Sequence, residues 1–242
     1  IPATVAANWL ASAWDQNCFS FVSSPAVALI ENAALRWLKD VLRLPADAEG
    51  ALVTGATMAN FTCLAAARHG VLERVGWNVE SRGLFGAPEI TVIVGDEVHA
   101  SVLKVLAMLG LGRDRIVRVP VDRQGRMRAD RLPRIEGPTI LCLQSGNVSS
   151  GAFDPAAPII AAAKAQGAWV HVDGAFGLWA RVSPRFAHHT DGVEAADSWA
   201  SDAHKWLNVP YDCGVALVKD PRALRAAMSV SGSYLMLGEQ RN

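Results

Sequence analysis

The chain has 242 residues, 51% of them hydrophobic, enough for one large domain or a domain and a half with a sizeable core. Lys plus Arg and Asp plus Glu balance at 23 each, so no net field recruits nucleic acid or an anionic membrane surface, although a local basic pocket for a small phosphorylated ligand stays open. Apolar runs such as Ile159 to Ala163 fall far short of the ~20 residues a membrane helix needs, and a charged fraction of 19% argues against wholesale disorder. Four cysteines (Cys18, Cys63, Cys142 and Cys213) form no C-x-x-C pair and read as reduced, mostly buried thiols of a cytoplasmic protein. No basic segment precedes an apolar one at the start, so secretion is unsupported. Opening on Ile1-Pro2 and closing on Gln240-Arg241-Asn242, the chain reads as cut from something longer.

Taken in order, the pattern is helical first. Val27, Ile30, Ala34, Leu38, Val41 and Leu42 recur at three and four residues, an amphipathic helix that Pro45 ends. Short apolar or β-branched runs follow at Ala51–Thr54, Ile90–Val94, Ile116–Val119, Thr139–Leu143, Trp169–Val172 and Val215–Val218. Helical stretches at Met58–His69, Ser101–Leu109, Pro155–Ala165 and Pro221–Met228 separate most of them. Alternating strands and helices predict an α/β layer fold with a largely parallel sheet. Ligands of such sheets sit at the carboxyl ends of the strands, which is where chemistry is to be sought.

After the first run comes Gly55-Ala56-Thr57, small residues and a hydroxyl at a helix start, a natural anion site but alone an ordinary turn capped by Thr57. After the second comes Gly95-Asp96-Glu97-Val98-His99-Ala100-Ser101, where His99 can stack on a planar ligand, shuttle a proton, or merely cap a helix. The fourth is followed by the polar loop Gln144 to Gly151, which carries no assignment unaided. Asp173 closes the fifth, ahead of Gly174-Ala175-Phe176-Gly177. A carboxylate there needs a cation or donor, and a helix cap or structural ion pair would also supply one.

The chain has five lysines against eighteen arginines. Lys39, Lys104 and Lys164 fall in helical stretches and Lys219 in a strand-end turn, all read as surface sites. Lys205 lies between His204 and Trp206 in a segment otherwise short of charge. There an amine loses proton affinity and becomes a nucleophile for a carbonyl, unless it simply snorkels to water. An anion cradle, a stacking His, a buried carboxylate and an activated Lys at one sheet edge would together suit a phosphorylated planar aldehyde with a basic ring nitrogen. That describes pyridoxal 5'-phosphate (PLP). No G-x-S-x-G, H-E-x-x-H or H-x-E…C-x-x-C occurs, so serine-hydrolase and zinc readings lack their parts and no metal is expected.

The runs His171-Val172-Asp173-Gly174-Ala175-Phe176-Gly177 and Asp202 to Gly214 resemble the group II PLP-dependent amino acid decarboxylases, which include the aromatic L-amino acid, histidine and glutamate decarboxylases. Thr54 to Asn60 and Gly146 to Asp154 fit the same family in the same order. The resemblance implies the type I (aspartate-aminotransferase-like) fold, a mostly parallel sheet of about seven strands between helices. It implies Lys205 as the Schiff-base lysine, Asp173 as partner of the pyridine nitrogen, and His99 and Ala175 on the two ring faces. Gly55, Ala56 and Thr57 would hold the phosphate, with His204 and Asn147 near the cofactor. Tyr234, followed by Leu235, matches a Tyr-Leu on a mobile loop that helps reprotonate the substrate carbon, or is a surface aromatic.

The implied reaction is decarboxylation of an L-amino acid to the amine and CO2 by a homodimer, with no nucleic-acid or membrane partner. A carbon–carbon lyase or aldehyde-forming decarboxylase on the same fold, and a non-catalytic PLP-binding or dimerisation module, remain alternatives. By the same resemblance, residues 1–46 are the end of an N-terminal helical segment, 47–242 the large PLP domain, and the C-terminal small domain is absent. Two positions depart from the family: Asp202, where many relatives have an Asn that contacts phosphate, and Met58, where an acidic residue is common. An ionised Asp202 would repel phosphate, so that role does not carry over.

Overall fold

The computed structural model describes residues 1–18 and 20–230, so Tyr234 and Leu235 lie outside the described residues. Two helices come first, α1 (Pro2–Trp14) and α2 (Pro25–Val41). A seven-stranded sheet follows: β1 (Glu49–Val53), β2 (Thr91–Gly95), β3 (Val117–Val119), β4 (Thr139–Gln144), β5 (Trp169–Asp173), β6 (Ser198–Asp202) and β7 (Gly214–Val218). The helices threaded between and after the strands are α3 (Ala56–Glu73), α4 (Val79–Arg82), α5 (Ala100–Met108), α6 (Ala156–Ala165), α7 (Ala203–Trp206) and α8 (Pro221–Met228).

The strand order is β1-β7-β6-β5-β4-β2-β3. The pairings among β3, β2, β4, β5 and β6 are parallel, while β7 runs antiparallel to both β6 and β1. The expected mostly parallel α/β sheet is therefore present.

Strand side chains alternate between faces, and two cores result. Leu141, Leu143, Val170, Val172, Trp199, Val215 and Leu217 pack with Leu35 of α2 and Ile159, Ile160 and Ala163 of α6. Ile140, Cys142, Trp169, Ala200, Ala216 and Val218 pack on the other face with α3, α5 and α8. Helix α3 sits close to the sheet because its inner face is small: a Cβ on Gly70 would stand 2.7 Å from the Trp169 ring. His171 and Asp173 share the face of Trp169, so the period of two aims both at α3.

Three local expectations are corrected. Ser198–Asp202, which is not among the runs expected to be strands, is the fully buried strand β6. Its hydroxyls are satisfied internally, since Ser201 Oγ donates to the Gly174 carbonyl at 3.1 Å and Ser198 Oγ meets Trp169 and His171, each at 3.0 Å. Helix α3 is capped by Gly55 at φ 88°, not by Thr57. Lys39, read as a surface site, is half-buried, its Nζ donating to the Ala46 and Ala48 carbonyls, 2.7 Å each, while Lys164 lies at the surface as expected and pairs with Asp197. The cysteines are mostly buried as expected: Cys63 and Cys142 are buried and Cys213 half-buried, with Cys18 exposed.

Candidate active site

Four of the strand ends read from the sequence meet at one edge of the sheet. Asp173 is the last residue of β5, Lys205 follows β6 by one helical turn, His99 follows β2, and the start of α3 follows β1. Burial raises the Asp173 carboxyl above its ordinary range, and the Ala175 N–H, the Asn60 amide and the nearby His99 and Lys205 pull it back down. His99, Val102, Cys142, Gln144 and Asp173 line one small cleft. His99 is exposed and caps α5, its Nδ1 accepting from the Ser101 N–H at 3.2 Å. Ala175 donates its N–H to Asp173 Oδ1 at 3.2 Å.

The residue around which Lys205 is organised is Asp202, to which the sequence lent no role. Its side chain is 4% exposed; Oδ2 stands 2.8 Å from Lys205 Nζ, on a side chain 40% exposed. Oδ1 accepts from the Ala56 N–H at 2.5 Å and lies 3.6 Å from His204 Nε2. His204 is turned that way because its Nδ1 accepts from the Cys213 N–H at 3.0 Å, and its ring packs on Tyr211 with centroids 4.2 Å apart. The loop from α7 to β7 is folded back by the same contacts, with the Ala203 and His204 N–H groups both on the Cys213 carbonyl. Beside Lys205, Phe176 and Trp206 form an exposed tilted pair, centroids 5.8 Å apart.

Glycine matters at two points here. A Cβ on Gly55 would come within 3.3 Å of His204 Cε1, and one on Gly214 would stand 2.4 Å from the Gly55 backbone. The turn before α3 can thus press against β7 only with both side chains absent. Thr57 is exposed in the first turn of α3. Asn147 is buried with its amide already engaged: it donates to Glu97 at 3.1 Å and accepts from the Ser149 and Ser150 N–H groups at 2.9 and 3.0 Å. Its visible work is to hold its own loop.

This donor set fits PLP at the ring and at the amine. A buried carboxylate suits a ring nitrogen, an exposed imidazole suits a ring face, and a half-exposed amine is reachable. At the phosphate end the fit is narrower, because Asp202 already takes the Ala56 N–H. The other first-turn N–H groups of α3, which have no intrahelical acceptor, and the Thr57 hydroxyl remain for an anion.

Residues 2–240 match the family described as the pyridoxal-dependent decarboxylase conserved domain. The chain belongs to the pyridoxal-dependent decarboxylase family. Tryptophan decarboxylase 1 of Oryza sativa subsp. japonica is 31% identical over 96% of the chain and 49% of its own length. Phenylacetaldehyde synthase of Petunia hybrida is 31% identical over 90% of the chain and 45% of its own length. Among solved structures, Oryza sativa TDC with PLP and tryptamine superposes with a TM-score of 0.87 at 30% identity, covering 98% of the chain and 51% of that protein. The chain spans about half the length of the relatives it matches, and its sheet is that of the PLP-dependent decarboxylases.

Sequence reasoning missed Asp202, Asn60 and Ser198 as members of this cluster. Asp202 is three residues before Lys205 and Asn60 one helical turn after Ala56, so spacing marked both. What the sequence does not carry is which long-range partner each meets.

Proposed function

We propose that the protein containing this chain decarboxylates an L-amino acid to the amine and CO2 with PLP held at the sheet edge described above. The supporting observation is the meeting at one sheet edge of a buried Asp173 at the end of β5 and a half-exposed Lys205 one helical turn after β6. When bound, PLP supplies a ring that takes up the electron pair released as CO2 departs. Lys205 would hold the cofactor through its amine, and Asp173 would accept a hydrogen bond from the ring nitrogen. His99 and Ala175 would face the two sides of the ring, and Gly55, Thr57 and the start of α3 would take the phosphate, with His204 close by. Reprotonation of the substrate carbon is assigned to Tyr234.

Residues 1–46 read as the end of an N-terminal helical segment and 47–242 as the large domain of a homodimer. Helix α1 buries no residue, yet exposes Val5, Trp9, Leu10 and Trp14. An isolated helix of that length is marginal in water, so a second subunit packing on it is the physical expectation, and sedimentation velocity reads the mass.

The match to a phenylacetaldehyde synthase favours one second reading, an aldehyde rather than an amine as product. Visible absorbance with added PLP, borohydride reduction and peptide mass spectrometry test the cofactor reading: a PLP adduct on Lys205 that Lys205→Ala lacks supports it. The absence of any adduct in folded protein refutes it. Screening L-amino acids for CO2 release, with mass spectrometry of the product, separates amine from aldehyde.

A further inference from the structure

Behind Asp173 runs a buried chain of hydrogen bonds whose donors and acceptors all agree in direction. Trp169 Nε1–H donates to Ser198 Oγ at 3.0 Å. Ser198 Oγ, which keeps its own hydrogen to give, faces His171 Nδ1 at 3.0 Å, and donates to it when the ring hydrogen is on Nε2. With Nδ1 accepting, the imidazole hydrogen is on Nε2, which faces Asn60 Oδ1 at 2.9 Å. That contact fixes the Asn60 amide with its NH2 outward, toward Asp173 Oδ2 at 3.2 Å and Ser101 Oγ at 3.4 Å. Ser101 Oγ in turn lies 2.7 Å from His99 Nδ1.

Trp169, Ser198, His171 and Asn60 are each no more than 1% exposed, so no water competes for these bonds. The register makes the chain possible. His171 stands opposite Ser198 in the β5–β6 pairing, while the alternation along β5 puts Trp169, His171 and Asp173 on the face that α3 covers. Reversing any one member leaves a buried donor facing a donor, or an acceptor facing an acceptor, at about 1–3 kcal/mol each.

We propose that Asn60 is a positioning residue, held in orientation by His171, that uses its two amide hydrogens to aim both the Asp173 carboxylate and, through Ser101, the His99 ring. The inference rests on the PLP reading for its consequence, since Asp173 and His99 are the groups assigned to the ring nitrogen and one ring face. It does not rest on that reading for its geometry. Asn60 touches neither cofactor nor substrate in this scheme; its effect passes through the two residues it orients.

Two measurements separate the inference from the reading beneath it. The first uses protein labelled with 15N-histidine and needs no cofactor. His171 is expected to show a protonated Nε2 and a bare Nδ1, and Asn60→Leu is expected to shift the ring-nitrogen signals of both His171 and His99. A His99 spectrum unchanged in Asn60→Leu, or a His171 with its hydrogen on Nδ1, overturns the proposal whatever the cofactor does.

The second titrates PLP by absorbance. Asn60→Asp keeps the shape but replaces two donors with acceptors, and is expected to weaken PLP binding at least tenfold while the borohydride adduct still forms on Lys205 at saturation. His171→Gln keeps a donor for Asn60 and should stay within about threefold of wild type, whereas His171→Leu should follow Asn60→Asp. Equal PLP affinity for the Gln and Leu variants at equal thermal stability would reduce His171 to core packing and sink the proposal. If wild-type protein forms no adduct at all, the PLP reading fails and the histidine spectra alone decide the hydrogen-bond chain.

Discussion

Burial holds the His171 imidazole down to a pKa of about 3, from an ordinary value of 6.5. On unfolding it regains the ordinary value, so below pH 6.5 the unfolded chain binds a proton that the folded chain refuses. Stability therefore falls as the pH falls: the His171 contribution is fully present above pH 6.5 and is lost progressively toward pH 3. One unit of pKa difference is worth about 1.4 kcal/mol, so acidifying from pH 7.5 to pH 5 removes about 2 kcal/mol through this one residue.

Asp154 acts in the opposite sense. Burial pushes its carboxyl up to about 6 despite bonds from the Met127 and Gln144 N–H groups. Its contribution grows as the pH drops through 6, by about 1.4 kcal/mol at pH 5. Asp173, also raised, adds to that side. Wild-type stability alone thus mixes opposing slopes, and the informative quantity is the difference between wild type and His171→Gln in urea unfolding at several pH values. At pH 7.5 the variant is expected to be less stable by about 1–3 kcal/mol, having exchanged a matched imidazole for a longer amide. That gap should shrink by about 2 kcal/mol at pH 5. Parallel stability profiles from pH 7.5 to pH 5 would refute a neutral, buried His171.

Asp202→Asn removes the charge beside Lys205 but keeps an acceptor for the Ala56 N–H. With Lys205 half exposed, the change in unfolding free energy is expected to stay below about 1 kcal/mol, while PLP titration should show tighter binding because a negative charge has left the anion site; weaker binding would contradict the repulsion argument. Thiol labelling should be ordered by exposure. Cys18 reacts first, and Cys63, whose buried thiol is pushed up to about 12, and Cys142, raised by burial as well, react only in denaturant, as peptide mapping after iodoacetamide would read. Gly214→Ala drives a methyl to 2.4 Å from the Gly55 backbone and is expected to cost about 1–3 kcal/mol, seen as a lowered Tm, together with loss of PLP binding. An unchanged Tm would mean that the turn before α3 is free to move away.

The fold was legible where burial and residue type agree. Ile140 to Leu143 and Val215 to Val218 are apolar on both faces because both faces are covered, and such runs read as buried strands without knowledge of their neighbours. Ser198–Asp202 fails that test, since its two serines and its aspartate become core residues only through partners far off in sequence. Helix α1 carries no one-sided apolar stripe and gave periodicity nothing to find, although the stretch was expected to be helical. The site divides in the same way. Lys205, Asp173 and His99 announce themselves by chemical type at strand ends, whereas Asn60, Ser198 and Asp202 matter for whom they meet across the sheet. Which of its two oxygens Asp202 gives to which neighbour is a property of the closed sheet.

The turn before α3 has a temporal side. Among the described strands β1 leaves the ribosome first, yet its neighbour in the sheet is β7, the last of them. The bond from the Ala56 N–H to Asp202 likewise spans 146 residues. Through most of synthesis, then, Glu49–Val53 has no strand to pair with, and the loop that follows has nothing to brace it. Such long-range closure is slow and leaves a sticky edge open in the meantime. A nascent chain halted before residue 214 would carry Lys205, Asp173 and His99 and still lack the wall against which Gly55 is pressed. Cofactor capture would therefore wait until β7 has joined the sheet, and the unpaired β1 is where a chaperone has most to shield.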